Sequence, residues 1–137
     1  MTTTASTSAC TVRLEGRHGQ HVHLSVPGTE YVLELVLASG GSFGAAEGKR
    51  VQGTVSGRAQ KLHRAQAGGE FIEPVEGHPR IVQGRVRESD IAGNRLLVHA
   101  VVPMWIALDA GQSARDFHAG DFVNFYMESG VTFAPLA

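Results

Sequence analysis

The sequence predicts an all-β fold: a small closed or partly open β-barrel, with extra N-terminal strands and one short helix. Three observations predict it. Short stretches alternate apolar and polar residues in period two, the spacing that lines one face of a strand. Of 137 residues 17 are Gly, which favours many turns over long helices. Between Arg80 and Glu128 strand-like runs and turn signals follow one another with little left over.

Ile81–Glu88 carries the pattern most plainly. Val82, Gly84 and Val86 face one way; Gln83, Arg85 and Arg87 face the other. Burial of Val82 and Val86 with exposure of Arg85 and Arg87 therefore fixes the register, since a slip of one residue reverses both faces. Ser89-Asp90 and Ala92-Gly93-Asn94 mark a turn, an apolar run covers Leu96 to Val102, and Pro103 separates it from a second short run, Met104 to Leu108. Residues 110–117 suit one short helix with Ser113 as N-cap. Gly120-Asp121 then opens a strong strand, Phe122 to Glu128, and Val131-Thr132-Phe133 reads as a closing strand.

The first half reads similarly. Thr11–Glu15 and His21–Val26 are short strands, and Pro27-Gly28 is a turn. Tyr31–Ala38 is the best strand of this half, with Tyr31, Leu33, Leu35 and Leu37 on one face. Ser39 to Gly48 is a flexible loop. Lys49–Arg58 contains Val51-Gln52-Gly53-Thr54-Val55, which matches Val82-Gln83-Gly84-Arg85-Val86 at four of five positions, its Gly again on the inward face. A Gly inside a strand marks a bend or a close backbone approach. The two copies fit two corner strands of one barrel, or two duplicated halves. Residues 64–80 form a long connection whose two Pro and whose Phe71-Ile72 point to an ordered excursion.

Residues 1–10 read as a polar tail and 11–137 as one domain. No apolar run approaches the roughly 20 residues of a transmembrane helix, and the polar N-terminus lacks the basic and apolar regions of a signal peptide. A cytoplasmic protein without membrane partners is the expectation. A single cysteine, Cys10, excludes a disulfide framework. The net charge is −1, yet residues 49–87 sum to +5 and residues 88–137 to −4, an asymmetry that can mark a surface for an anionic partner.

From Ile81 on, the order of strands, the short helical connection and Gly120-Asp121-Phe122-Val123-Asn124-Phe125 resembles the oligonucleotide/oligosaccharide-binding (OB) fold over residues 80–134. The resemblance implies a binding or assembly module rather than an enzyme. Its partners would be a small ligand, single-stranded nucleic acid or a second copy of the chain.

Three constellations bear on chemistry. Arg58, Lys61, Arg64, Arg80, Arg85 and Arg87, with Phe71 between the two Val-Gln-Gly strands, suit cations tracking a nucleic-acid backbone beside a ring for base stacking. His21 and His23 share one strand face, a spacing used by metal ligands. With Glu30 and His118 they resemble, loosely, the cupin pattern of a metal-dependent β-barrel enzyme. His99, Met104 and Trp105 resemble the small copper-binding OB proteins, because thioether ligands select Cu(I). A strand face open to solvent explains the first His pair and core packing explains Met104 and Trp105. The expectation is thus no cofactor and no stoichiometric metal at His21/His23 or His99/Met104. No phosphate loop, nucleophile–base order or paired carboxylate stands out, so catalysis is not expected.

Overall fold

Period-two alternation becomes strand throughout a computed structural model that describes residues 8–38 and 43–136. Most of the expected tail (residues 1–7) and part of the Ser39–Gly48 loop (residues 39–42) lie outside the described residues. The strands are β1 (Cys10–His18), β2 (His21–Ser25), β3 (Val32–Leu37), β4 (Arg50–Arg64), β5 (Phe71–Glu73), β6 (Glu76–Gly77), β7 (Ile81–Asp90), β8 (Arg95–Ala100), β9 (Val102–Ala107), β10 (Phe122–Met127) and β11 (Thr132–Pro135). The expected helix at 110–117 is a single 3₁₀ turn, Ala114–Asp116, and Ser113 does cap it, its hydroxyl accepting from the Arg115 amide. Cys10, assigned to the tail, instead opens β1 opposite Gly53.

The eleven strands form one mixed sheet whose pairings return on β4 twice. In one ring of five strands, β7, β8 and β9 form an antiparallel meander, β9 runs parallel to β4, β4 pairs with β10, and β10 pairs back onto β7. The other follows the same rule: β1, β2 and β3 meander, β3 runs parallel to β11, β11 pairs with β4, and β4 pairs with β1. The two halves of the chain are thus connected alike. β4 serves as fourth strand of its own half through Arg50–Gly53 and as fifth strand of the other through Val55–Arg58 and residues beyond. The Val-Gln-Gly copies do not mark this duplication, since one lies in β4 and the other in β7, the first strand of its ring.

The core follows the alternation. Leu33, Leu35 and Leu37 are buried on β3, and Val82 and Val86 on β7, with Arg85 and Arg87 exposed. Phe125, Phe133, Leu14 and Met104 are among the largest fully buried side chains; each such apolar side chain contributes about 1.5–3 kcal/mol by leaving water. Gln83, read as solvent-facing, is 5% exposed. It does point away from the apolar core, but residues 65–70 fold over it. Its Nε2 donates to the carbonyls of Ala67 and Gly69, and its Oε1 accepts from Asn124 Nδ2. A buried amide satisfied this way costs little.

β4 runs six residues beyond the expected end at Arg58, because Ala59–Arg64 pairs with β10. A register shift there, with Lys61 at φ 56°, spaces the buried Ala59 and Leu62 three residues apart, so the alternation that would reveal the strand is broken.

Both repeat glycines are points of close approach. A Cβ on Gly53 would meet Phe133 Cζ at 2.5 Å and the Ala134 carbonyl at 2.6 Å; one on Gly84 would run into the His99 carbonyl oxygen and meet Ala100 Cβ at 2.8 Å. Gly84→Ala should therefore cost about 1–3 kcal/mol of unfolding free energy by denaturant titration. Gly16→Ala, where a Cβ meets nothing within 4 Å, should stay within about 0.5 kcal/mol. Equal stability of the two variants would contradict the close approach.

Candidate functional site

The basic set occupies the outer faces of β4, β7 and their neighbours, and acids and carbonyls engage half of it. Arg58 Nε lies 3.9 Å from both Asp109 and Glu128. Arg64 bonds the Asp116 carbonyl and, at 3.1 Å, Asp121, with its guanidinium 5.0 Å over the Phe117 ring. Arg85 donates to the Gly120 carbonyl at 2.9 Å and lies 5.0 Å over Phe122. Asp109, Asp121 and Glu128 thus fold back onto the basic segment at Arg58 and Arg64. Phe71 is half-buried on β5 opposite Gln83; the rings beneath these cations are Phe117, Phe122 and, 5.9 Å from Lys61 Nζ, Tyr126. Among the described residues, the side chains of Arg80 and Arg87 have no hydrogen-bond, ion-pair or ring partner.

Arg80 borders an open depression in the surface. Here Glu73, Pro74, His78, Pro79, Arg80 and Ile81 face Tyr126, Met127 and Ser129 across an open groove of about 850 Å³. Local pairing builds its walls. β5 is hydrogen-bonded to the start of β7, Tyr126 of β10 pairs with Ile81, and the Met127 amide donates to the Arg80 carbonyl. Tyr126 stands on the outward phase of β10 and is 50% exposed. Its signal was present in the sequence, because the alternation that buries Val123 and Phe125 turns Tyr126 outward.

The histidine pair gains neighbours. His21 and His23 lie outward on β2 as expected, and the carboxylate beside them is Glu34 of β3, not Glu30. Glu34 is 3.5 Å from His21 Nδ1, 3.9 Å from His23 Nε2 and 3.2 Å from His78 Nε2. As the side chains stand, no group of three or more His, Cys, Asp or Glu among the described residues is arranged to hold a metal ion. His99 and Met104 do not share a site. Met104 points into the core opposite Val98, while His99 is outward with its Nδ1 3.0 Å from Glu70. Glu70 also accepts from the Val101 amide, which steadies a β-branched residue at φ 66°. Trp105, expected in the core, is instead on the partly exposed phase of β9, 4.0 Å beneath the Arg95 guanidinium.

Burial pushes the Cys10 thiol up to about 11, so the thiolate needed for nucleophilic or ligand chemistry is suppressed. No described helix is long and apolar enough to cross a membrane.

Asp121 is held below the ordinary carboxylate range, first by the His118 amide it accepts from and then by the Arg64 charge. A depressed carboxyl stabilises the fold above its unfolded pKa, about 3.9, and that contribution is lost as pH falls through the folded value. Asp121→Asn should therefore flatten the acid limb of stability below about pH 4 relative to the parent chain. An unchanged limb in pH-dependent denaturation would contradict this.

Compared with known proteins, the chain matches no protein-family model and no curated protein.

Proposed function

We propose that this chain is a binding module built on an OB-like barrel, and that its ligand site is the groove between Arg80 and Tyr126. The pairing order supports the barrel: a three-strand meander whose first strand pairs with the fourth, while the third runs parallel to the fifth, is a Greek-key path of the kind OB folds use. The observation that carries the site is Arg80. It is an exposed guanidinium without a partner among the described residues, at the rim of a depression walled by Pro74, Pro79, Ile81, Met127 and a half-exposed tyrosine ring. Mostly apolar walls with a few placed polar groups are the usual make-up of a small-molecule site, and about 850 Å³ lies within the usual size range. Arginine adds bidentate recognition of carboxylate or phosphate. The ligand class that fits is a small anion with a flat apolar body, the body against Tyr126 and the charge on Arg80.

Single-stranded nucleic acid is the second reading, and the Tyr126 ring favours it on this face rather than around Phe71. Lys61 over the ring and Arg80 beside it would meet phosphates while a base stacks. The ion pairs of Arg58 and Arg64 weigh against a long basic track and rank this reading below the small anion.

Amide shift mapping with 2-naphthoate and with an oligothymidylate tests both readings. Naphthoate should move the amides of Ile81, Tyr126 and Met127, and Arg80→Ala should weaken it about tenfold or more, the loss of one charge-assisted contact. Oligonucleotide binding, if it dominates, should fall with salt by about 0.7 log units per log unit for each phosphate met. No shift at millimolar naphthoate would refute the small-anion reading, and a flat oligonucleotide titration at low ionic strength the other.

A further inference from the structure

We propose that His21, His23, His78 and Glu34 form a binding site for a divalent transition-metal ion of the zinc class on the outer face of β2 and β3. The site follows from strand pairing. Burial of Val22 and Leu24 turns His21 and His23 outward together, and the antiparallel register places His23 directly opposite Glu34. The short parallel contact of β6 with β3 pairs Gly77 with Leu33, so the next residue, His78, comes alongside Glu34. Three imidazoles thus surround one carboxylate whose side chain is 24% exposed.

Two observations point to a ligand. The first is spacing. In a tetrahedral zinc site with bonds of 2.0–2.1 Å, neighbouring donor atoms stand about 3.3 Å apart; the His78 and His21 nitrogens lie 3.2 and 3.5 Å from the same Glu34 oxygen, and His23 lies 3.9 Å from the other. The second is an unmet donor or acceptor: Nδ1 of His21 is shielded from solvent and, among the described residues, makes no hydrogen bond, its nearest polar neighbour being the Glu34 carboxylate at 3.5 Å. Buried polar atoms are nearly always satisfied, and an unmet one has a reason, an absent ion among them.

The four side chains are not gathered about one point in the structure. The three imidazoles are all accessible, His78 at 55%, His21 at 45% and His23 at 40% exposed, so side-chain rotation is open to each of them. Neutral imidazole with one carboxylate suits zinc and its neighbours rather than calcium or magnesium, which take oxygen ligands. In the sequence His21 and His23 read as a strand face open to solvent; Glu34 and His78 reach them from β3 and from the segment after β6. Bound metal would fasten that segment to β2 and β3, two residues before Arg80.

The test uses untagged full-length protein and zinc chloride. Titration calorimetry should show about one ion per chain, with a rise in melting temperature that follows zinc concentration. His21→Ala with His23→Ala should abolish the heat, and His78→Ala and Glu34→Gln should each weaken binding at least tenfold. Cys10→Ser should leave it unchanged. Cobalt(II), added to the parent chain, should broaden or shift the ring resonances of His21, His23 and His78 but not those of His99. Circular dichroism of each variant identifies loss of fold, and the cobalt experiment stands whether or not a variant folds. No saturable binding near one equivalent, binding indifferent to the His and Glu substitutions, or cobalt effects elsewhere would overturn the proposal.

Discussion

Everything in this fold is tied to β4. Fifteen residues, Arg50–Arg64, pair in succession with β1, β11, β9 and β10. Each of the two five-strand rings needs it. Without β4 the first ring would leave β1 and β11 as open edges and the second β9 and β10, each exposing unpaired backbone. One strand bends enough to serve both because its sequence lets it. Gly53 admits the Phe133 ring and the Ala134 carbonyl against the backbone, and the register shift around Lys61 re-aims the last turn of the strand onto β10. Both features depart from regular strand, and both are what a shared strand requires.

The same architecture explains where the candidate sites lie. The excursion between β4 and β7 is pinned at two places, β5 on β7 and β6 on β3. It thereby straddles the two rings. His78, just after β6, faces the histidines of β2, while Arg80, two residues on, faces the groove beside Tyr126. The opposite end of β7 is closed differently. There Arg85 is spent on the Gly120 carbonyl and Phe122, and Arg64 on Asp116 and Asp121. Opposite charges separated along the sequence meet in space at Arg58 and Arg64, which pair with Asp109, Glu128 and Asp121.

What was legible in the sequence was whatever period two expresses. The faces of β3 and β7 followed from it, as did the inward glycines at Gly53 and Gly84, while the cap at Ser113 followed from residue type. The second half of β4 was not legible, because a register shift breaks the alternation by which a strand is recognised. Gln83 read as exposed because a loop far along the chain from it supplies its cover. The site residues fared similarly. His21 and His23 are two apart on one strand, so their shared face was evident, whereas Glu34 and His78 reach them only through pairing between strands. Phe71 was chosen for its position between two basic strands; Tyr126 is the ring the fold leaves open, and its outward phase was readable but its neighbours were not. His99 and Met104 were separated by the hairpin, which turns neighbouring positions to opposite faces.

Dependence of both rings on one strand is the central claim, and native-state hydrogen exchange tests it most directly. Amides of β2 and β3 in one ring and of β8 and β9 in the other should exchange with the same opening free energy as the β4 amides, in a single cooperative unfolding. Two sets of amides opening at different free energies, one ring melting while the other stays protected, would contradict it.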